Sequence, residues 1–153
     1  MSRGGQMKIA IGNDHVGFYL KDALLEVLRA RKIEIIDVGA YNDQRTDYPI
    51  YGKKVADLVA KGEVDGGIVL CGTGIGISIA ANKVKGIRAA VCSEPYSAKL
   101  SKQHNNSNIL AMGSRVVGTE LAKMILEEWL DAKYEGGRHD ARINLITAIE
   151  NEQ

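Results

Sequence analysis

Five short apolar runs punctuate the chain: Lys8-Ile9-Ala10-Ile11, Ile33-Glu34-Ile35-Ile36, Gly67-Ile68-Val69-Leu70, Ala89-Ala90-Val91 and Ile109-Leu110-Ala111-Met112. Each is too short for a helix and has the composition of a strand. The longer segments between them place apolar residues three and four apart, as in Leu20, Leu24, Val27 and Leu28, or Leu121, Ile125 and Trp129. That spacing puts them on one face of a helix. Strand then helix, repeated with strands apolar on both faces, predicts an α/β protein: a parallel sheet covered on each side, a three-layer α/β/α sandwich in one domain. Pro49 and Pro95 each fall where a helix would begin, a start signal in that position. Helical patterns run from Gly118 to Leu130 and again from Arg138 to Ile149. The second follows the last strand, so we expect it to pack on a neighbouring chain.

Composition narrows the class. The chain has 153 residues, a formal charge of +1, 45% hydrophobic and 25% charged residues, which suits one ordinary domain that folds without a disulfide or metal staple. No basic run exceeds Lys53-Lys54, so no nucleic-acid partner is expected. No stretch reaches the roughly 18–20 apolar residues of a membrane span. Two cysteines, Cys71 and Cys92, do not make a secreted disulfide scaffold and favour the cytoplasm. Met1 to Gln6 read as a leader, with the domain spanning 7–153.

In open parallel sheets ligands bind outside the carboxyl ends of the strands. The segments there are Gly12-Asn13-Asp14-His15, Cys71-Gly72-Thr73-Gly74-Ile75-Gly76-Ile77-Ser78, Cys92-Ser93-Glu94 and Gly113-Ser114-Arg115, and they should converge on one rim. The glycines of the second free several N–H groups to face an anion before a helix N-terminus. The spacing is neither G-x-G-x-x-G nor a Walker loop. Cys71 opens that loop, where the helix dipole and nearby N–H groups would stabilise a thiolate serving as base or nucleophile. Cys92 lacks such a cradle and reads as a small core residue. His15 and His104 are placed as an anion contact and a proton donor or acceptor, and His139 is left without a role. No His pair has the i, i+4 spacing of a zinc helix, so no metal site is expected. Arg138 and Arg142, four apart, share a helix face and could hold phosphate. Asp37, where a dinucleotide enzyme would hold a ribose, is a decoy without the glycine fingerprint.

Six motifs in order, Gly12-Asn13-Asp14-His15-Val16-Gly17-Phe18, Arg45-Thr46-Asp47-Tyr48-Pro49, Val64-Asp65-Gly66-Gly67, Cys71-Gly72-Thr73-Gly74-Ile75-Gly76, Cys92-Ser93-Glu94-Pro95-Tyr96 and Tyr134-Glu135-Gly136-Gly137-Arg138-His139, resemble ribose-5-phosphate isomerase type B from Met7 to about Ile149. The resemblance implies a Rossmann-like five-stranded parallel sheet. It also implies an aldose–ketose isomerase of the pentose phosphate pathway that interconverts ribose 5-phosphate and ribulose 5-phosphate through an enediolate, without metal or organic cofactor. Cys71 would move the proton between C1 and C2, assisted by Thr73. The amides from Gly72 through Gly74 and Ile75 to Gly76 would hold the enediolate oxygen. His104 would open the furanose ring, and His15, Arg138 and Arg142 would hold the phosphate. Asp14, Tyr48, Asn105 and Arg115 match positions lining the family's sugar site. A homodimer, in some members a dimer of dimers, would complete each site with residues of the neighbouring subunit. The rival within the class is an isomerase of a hexose 6-phosphate such as allose 6-phosphate. The rival outside it is a nucleotide-binding or redox module, which predicts a fingerprint the chain lacks.

Overall fold

The computed structural model describes residues 5–153. Of the leader read at 1–6, residues 1–4 lie outside the described residues. Gln6 already touches the domain, its Nε2 donating to Lys32 O over 3.1 Å.

Strands β1 (Lys8–Asn13), β2 (Glu34–Asp37), β3 (Gly66–Cys71), β4 (Ala89–Val91) and β5 (Ile109–Gly113) alternate with helices α1 (Phe18–Ala30), α2 (Tyr48–Ala60), α3 (Ile75–Asn82), α4 (Pro95–Asn105) and α5 (Thr119–Asp131). Helix α6 (Arg138–Asn151) follows. The sheet is wholly parallel in the order β2-β1-β3-β5-β4. Pro49 and Pro95 sit in the first turns of α2 and α4, as their missing N–H allows.

Alternation along each strand sends side chains to opposite layers. Ile9, Ile11, Ile68, Leu70, Leu110 and Met112 face α1, α4 and α5 in one core. Ala10, Val69, Cys71, Ile109 and Ala111 face α2 and α3 in the other. The predicted sandwich is therefore present, with two cores about one sheet. Trp129 of α5 closes the first core, fully buried, with its Nε1 donating to Ser107 Oγ over 2.9 Å. Asp37 is structural: the buried Lys21 ammonium donates to both of its carboxylate oxygens, at 2.8 and 3.1 Å, and to Ala40 O at 2.7 Å. Helix α6 stands apart. Its only buried residue is His139, while Leu145, Ile146 and Ile149 are exposed. No helix among the described residues is long and apolar enough to cross a membrane.

Candidate active site

The chain order places β1 and β3 side by side while their onward connections run to opposite halves of the sheet. A crevice opens at such a switch point beyond the carboxyl ends of the strands. The backbone stitches the crevice walls together: Asp14 N donates to Leu70 O, Ser114 N to Cys71 O and Arg115 N to Gly72 O. Three of the four predicted segments thus meet there, joined by Tyr48 from the start of α2. Asp14 is buried, and its Oδ1 accepts from Val16 N at 3.0 Å and Gly17 N at 2.8 Å, fixing the turn into α1. His15 Nδ1 lies 3.1 Å from Thr46 O and 3.2 Å from Thr46 N, so Thr46 orients the ring and leaves Nε2 outside these contacts.

The glycine loop is built around the thiol. Cys71 ends β3 and is 4% exposed, and Gly74 N donates to its Sγ over 3.2 Å. Gly74 caps α3 with φ of +81°, a conformation that only glycine adopts without strain. Thr73 Oγ1 accepts from Ile75 N over 3.1 Å. Two of the loop amides expected to face substrate oxygen are therefore directed to Cys71 and Thr73 in this arrangement. Gly76 and Ile77, in the first turn of α3, retain N–H groups without an intrahelical acceptor. Gly76 lets the Tyr48 ring lie against the loop, since a β-carbon there would be 2.6 Å from Tyr48 Cζ and would displace the ring. Arg115 overhangs the loop: a β-carbon on Gly72 would be 3.8 Å from its Cδ and 3.9 Å from Nη1. Cys92 differs in kind. Burial, and secondarily the Glu94 carboxylate, push its thiol up to about 11, so it stays protonated as a core residue.

The other predicted residues lie at the opposite end of the sheet. Helix α4 runs back from the carboxyl end of β4 and finishes at Asn105, just before β5 begins. Arg88, which precedes β4, donates from Nε to Asn105 O at 3.1 Å and Asn106 O at 3.0 Å. His104 and Asn105 are therefore one strand length from the crevice, about 16 Å for the five residues of β5. Arg138 and Arg142 belong with them, one turn apart on α6, both exposed. The acid between them on the helix, Asp140, accepts from Tyr134 Oη over 2.6 Å.

His139 and Glu135 are what sequence reading passed over. Glu135 N donates to Gln103 O over 3.0 Å, bringing the turn before α6 onto the end of α4. There the His104 and His139 rings stack with centroids 4.4 Å apart and planes 16° apart. Glu135 Oε1 lies 3.7 Å from His104 Nε2 and 3.5 Å from His139 Nε2. The three side chains bring one potential ligand atom each to within 4.8 Å of one another, a grouping that histidine spacing does not disclose. That test considered His–His pairs only. The available signal was the i, i+4 spacing of Glu135 and His139, whereas the approach of His104 is tertiary.

The sequence pattern described as Ribose/Galactose Isomerase matches residues 9–146. The chain is 65% identical to ribose-5-phosphate isomerase B of Escherichia coli over 143 residues, 94% of this chain and 96% of that protein. Ribose-5-phosphate isomerase B of Clostridium thermocellum superposes with a TM-score of 0.94 at 53% identity, covering 95% of this chain and 99% of that one. The structure of the Mycoplasma genitalium enzyme with bound ribulose-5-phosphate gives 0.91 at 41% identity, covering 96% and 98%. With the glycine loop, the thiol and the crevice where they are, this chain belongs to the ribose/galactose isomerase family.

Proposed function

We propose that the chain interconverts D-ribose 5-phosphate and D-ribulose 5-phosphate as an aldose–ketose isomerase. The reading is carried by one conjunction: a 65%-identical relative that is a ribose-5-phosphate isomerase B, and a thiol held at the mouth of a helix by Gly74 N–H. Cys71 takes the proton from C2 of the open-chain aldose and returns it to C1, while the hydroxyl proton passes from O2 to O1. The Thr73 hydroxyl assists, and the first-turn amides of α3 stabilise the negative oxygen of the enediolate. Asp14, Tyr48 and Arg115 line the sugar.

His104 opens the ring, Asn105 adds a sugar contact, and Arg138 and Arg142 join His15 on the phosphate. Since these four lie a strand length from Cys71 within one chain, the working unit is a homodimer with shared sites. Ile75, Ile79 and Tyr48 support this as exposed apolar side chains beside the crevice, at 52%, 55% and 39%. Both cysteines are free, which suits a reducing cytoplasm. The deciding experiment is turnover of ribose 5-phosphate beside allose 6-phosphate by chelator-treated protein. Activity on the pentose supports the reading, activity on the hexose alone replaces the substrate, and inactivity on both rejects it.

A further inference from the structure

The geometry points to a binding site for one divalent transition-metal ion, of the Zn²⁺ class, formed by His104, Glu135 and His139 at the end of α4. Three observations converge. The first is the donor set. Two imidazoles and a carboxylate bring one ligand atom each to within 4.8 Å of one another, the composition of zinc sites with three protein ligands and an open fourth position. The second is spacing. The Oε1 to Nε2 distances of 3.5 and 3.7 Å exceed the usual 2.7–3.2 Å of an N–H···O bond. They lie close to the edge of a tetrahedron with metal–ligand bonds of 2.0–2.2 Å, roughly 3.3–3.6 Å.

The third is an orphan. His139 is 5% exposed, and its Nε2 is buried with no hydrogen-bond partner among the described residues. Such a nitrogen ordinarily has a partner, and here it faces the same carboxylate oxygen that His104 faces. The rings are stacked with planes 16° apart, so their in-plane lone pairs run nearly parallel, and binding a common ion requires both rings to tilt towards each other about χ2, a soft torsion for histidine. The backbone supports the cluster from both sides, through Glu135 N to Gln103 O at 3.0 Å and His139 N to Gly136 O at 3.1 Å.

Occupancy has a consequence that rests on the functional reading above: an ion on His104 Nε2 withdraws that imidazole from ring opening. The metal is thus an inhibitor of the isomerase and not its cofactor.

The test uses the full chain, stripped with chelator. Zn²⁺ is titrated in competition with a chromophoric chelator, and Co²⁺ is added separately to read the visible bands of a tetrahedral site. One equivalent per chain is expected. Glu135→Gln and His139→Gln should each weaken uptake at least about tenfold, the scale set by changes even to outer-shell groups. Absence of uptake by the wild-type chain overturns the site. So does uptake that persists in both cluster variants. In the activity arm, Zn²⁺ should suppress ribose 5-phosphate turnover, chelator should restore it, and His139→Gln should escape suppression. Zn²⁺ bound at the cluster with turnover unchanged overturns the inhibition. A chain without turnover even when metal-free counts against the isomerase reading, and the binding arm then decides the site by itself.

Discussion

Gly74 N–H points at Cys71 Sγ across 3.2 Å, so the residue that gives the loop its left-handed turn also supplies a donor to the thiol. That contact fixes the sulfur at the N-terminus of α3, beside the first-turn amides of the helix. Replacing Cys71 with Ala removes the base and leaves the crevice intact. We expect turnover to fall by about 10²–10⁴, the usual contribution of a positioned base, with ribose 5-phosphate affinity by calorimetry nearly unchanged. Retained turnover, or loss of binding alone, contradicts the assignment.

His104 acts on a ring, and only the aldose has one to open. His104→Asn should therefore depress turnover of ribose 5-phosphate more than turnover of ribulose 5-phosphate. Equal losses in initial rates from the two substrates would place the residue outside ring opening.

The separation of Cys71 from His104 by a strand length makes the shared site directly testable. Cys71→Ala chains and His104→Asn chains are each expected to be impaired. When they are unfolded together and refolded, half of the dimers are hybrids, and one of the two sites in a hybrid carries both intact residues. Ribose 5-phosphate turnover should then recover to about a quarter of wild type. A mixture no more active than the sum of its parts rules out sites shared across a two-fold interface.

The layers were legible because period-two and period-3.6 apolar patterns report burial directly. Ile9 and Ile11 reach one core and Ala10 the other, as an alternating strand requires. The rim segments were legible too, since the end of a parallel strand is a position in sequence. Boundaries shifted by single residues, with β2 spanning Glu34–Asp37 where Ile33–Ile36 was expected. Strand order was not legible, because any of several orders buries the same runs. His104 meeting His139 was not legible either. That contact depends on the turn through Gly136 and Gly137, with φ of +67° and +56°, laying α6 against the end of α4, and nothing in local spacing encodes it.

Arg138 and Arg142 are exposed, one turn apart, beside a carboxylate already engaged by Tyr134. If they hold phosphate, replacing either by Ala should raise KM for ribose 5-phosphate by roughly 10- to 100-fold, the loss of a charge-assisted contact, with kcat less affected. An unchanged KM returns them to the solvated surface.

Lys102 offers a prediction about stability. Its Nζ donates to Trp129 O over 2.9 Å and lies 4.1 Å from the Trp129 ring centroid. Burial lowers its ammonium to about 8, with Asp131 opposing the change. The unfolded chain keeps this proton up to its ordinary value of 10.5, so between about 8 and 10.5 the unfolded state binds more protons than the folded one. Stability must then rise with pH through that window, while below it both states are charged and the full desolvation cost is present. The Trp129 ring favours the charged form and trims the effect, to about 1–3 kcal/mol. Denaturant titrations of wild type and Lys102→Met at neutral pH and at pH near 10 isolate the contribution, because other titrations largely cancel in the difference. The wild type should gain on the variant by that amount as pH rises, and a difference independent of pH would show that Lys102 keeps its proton in the folded chain across the window.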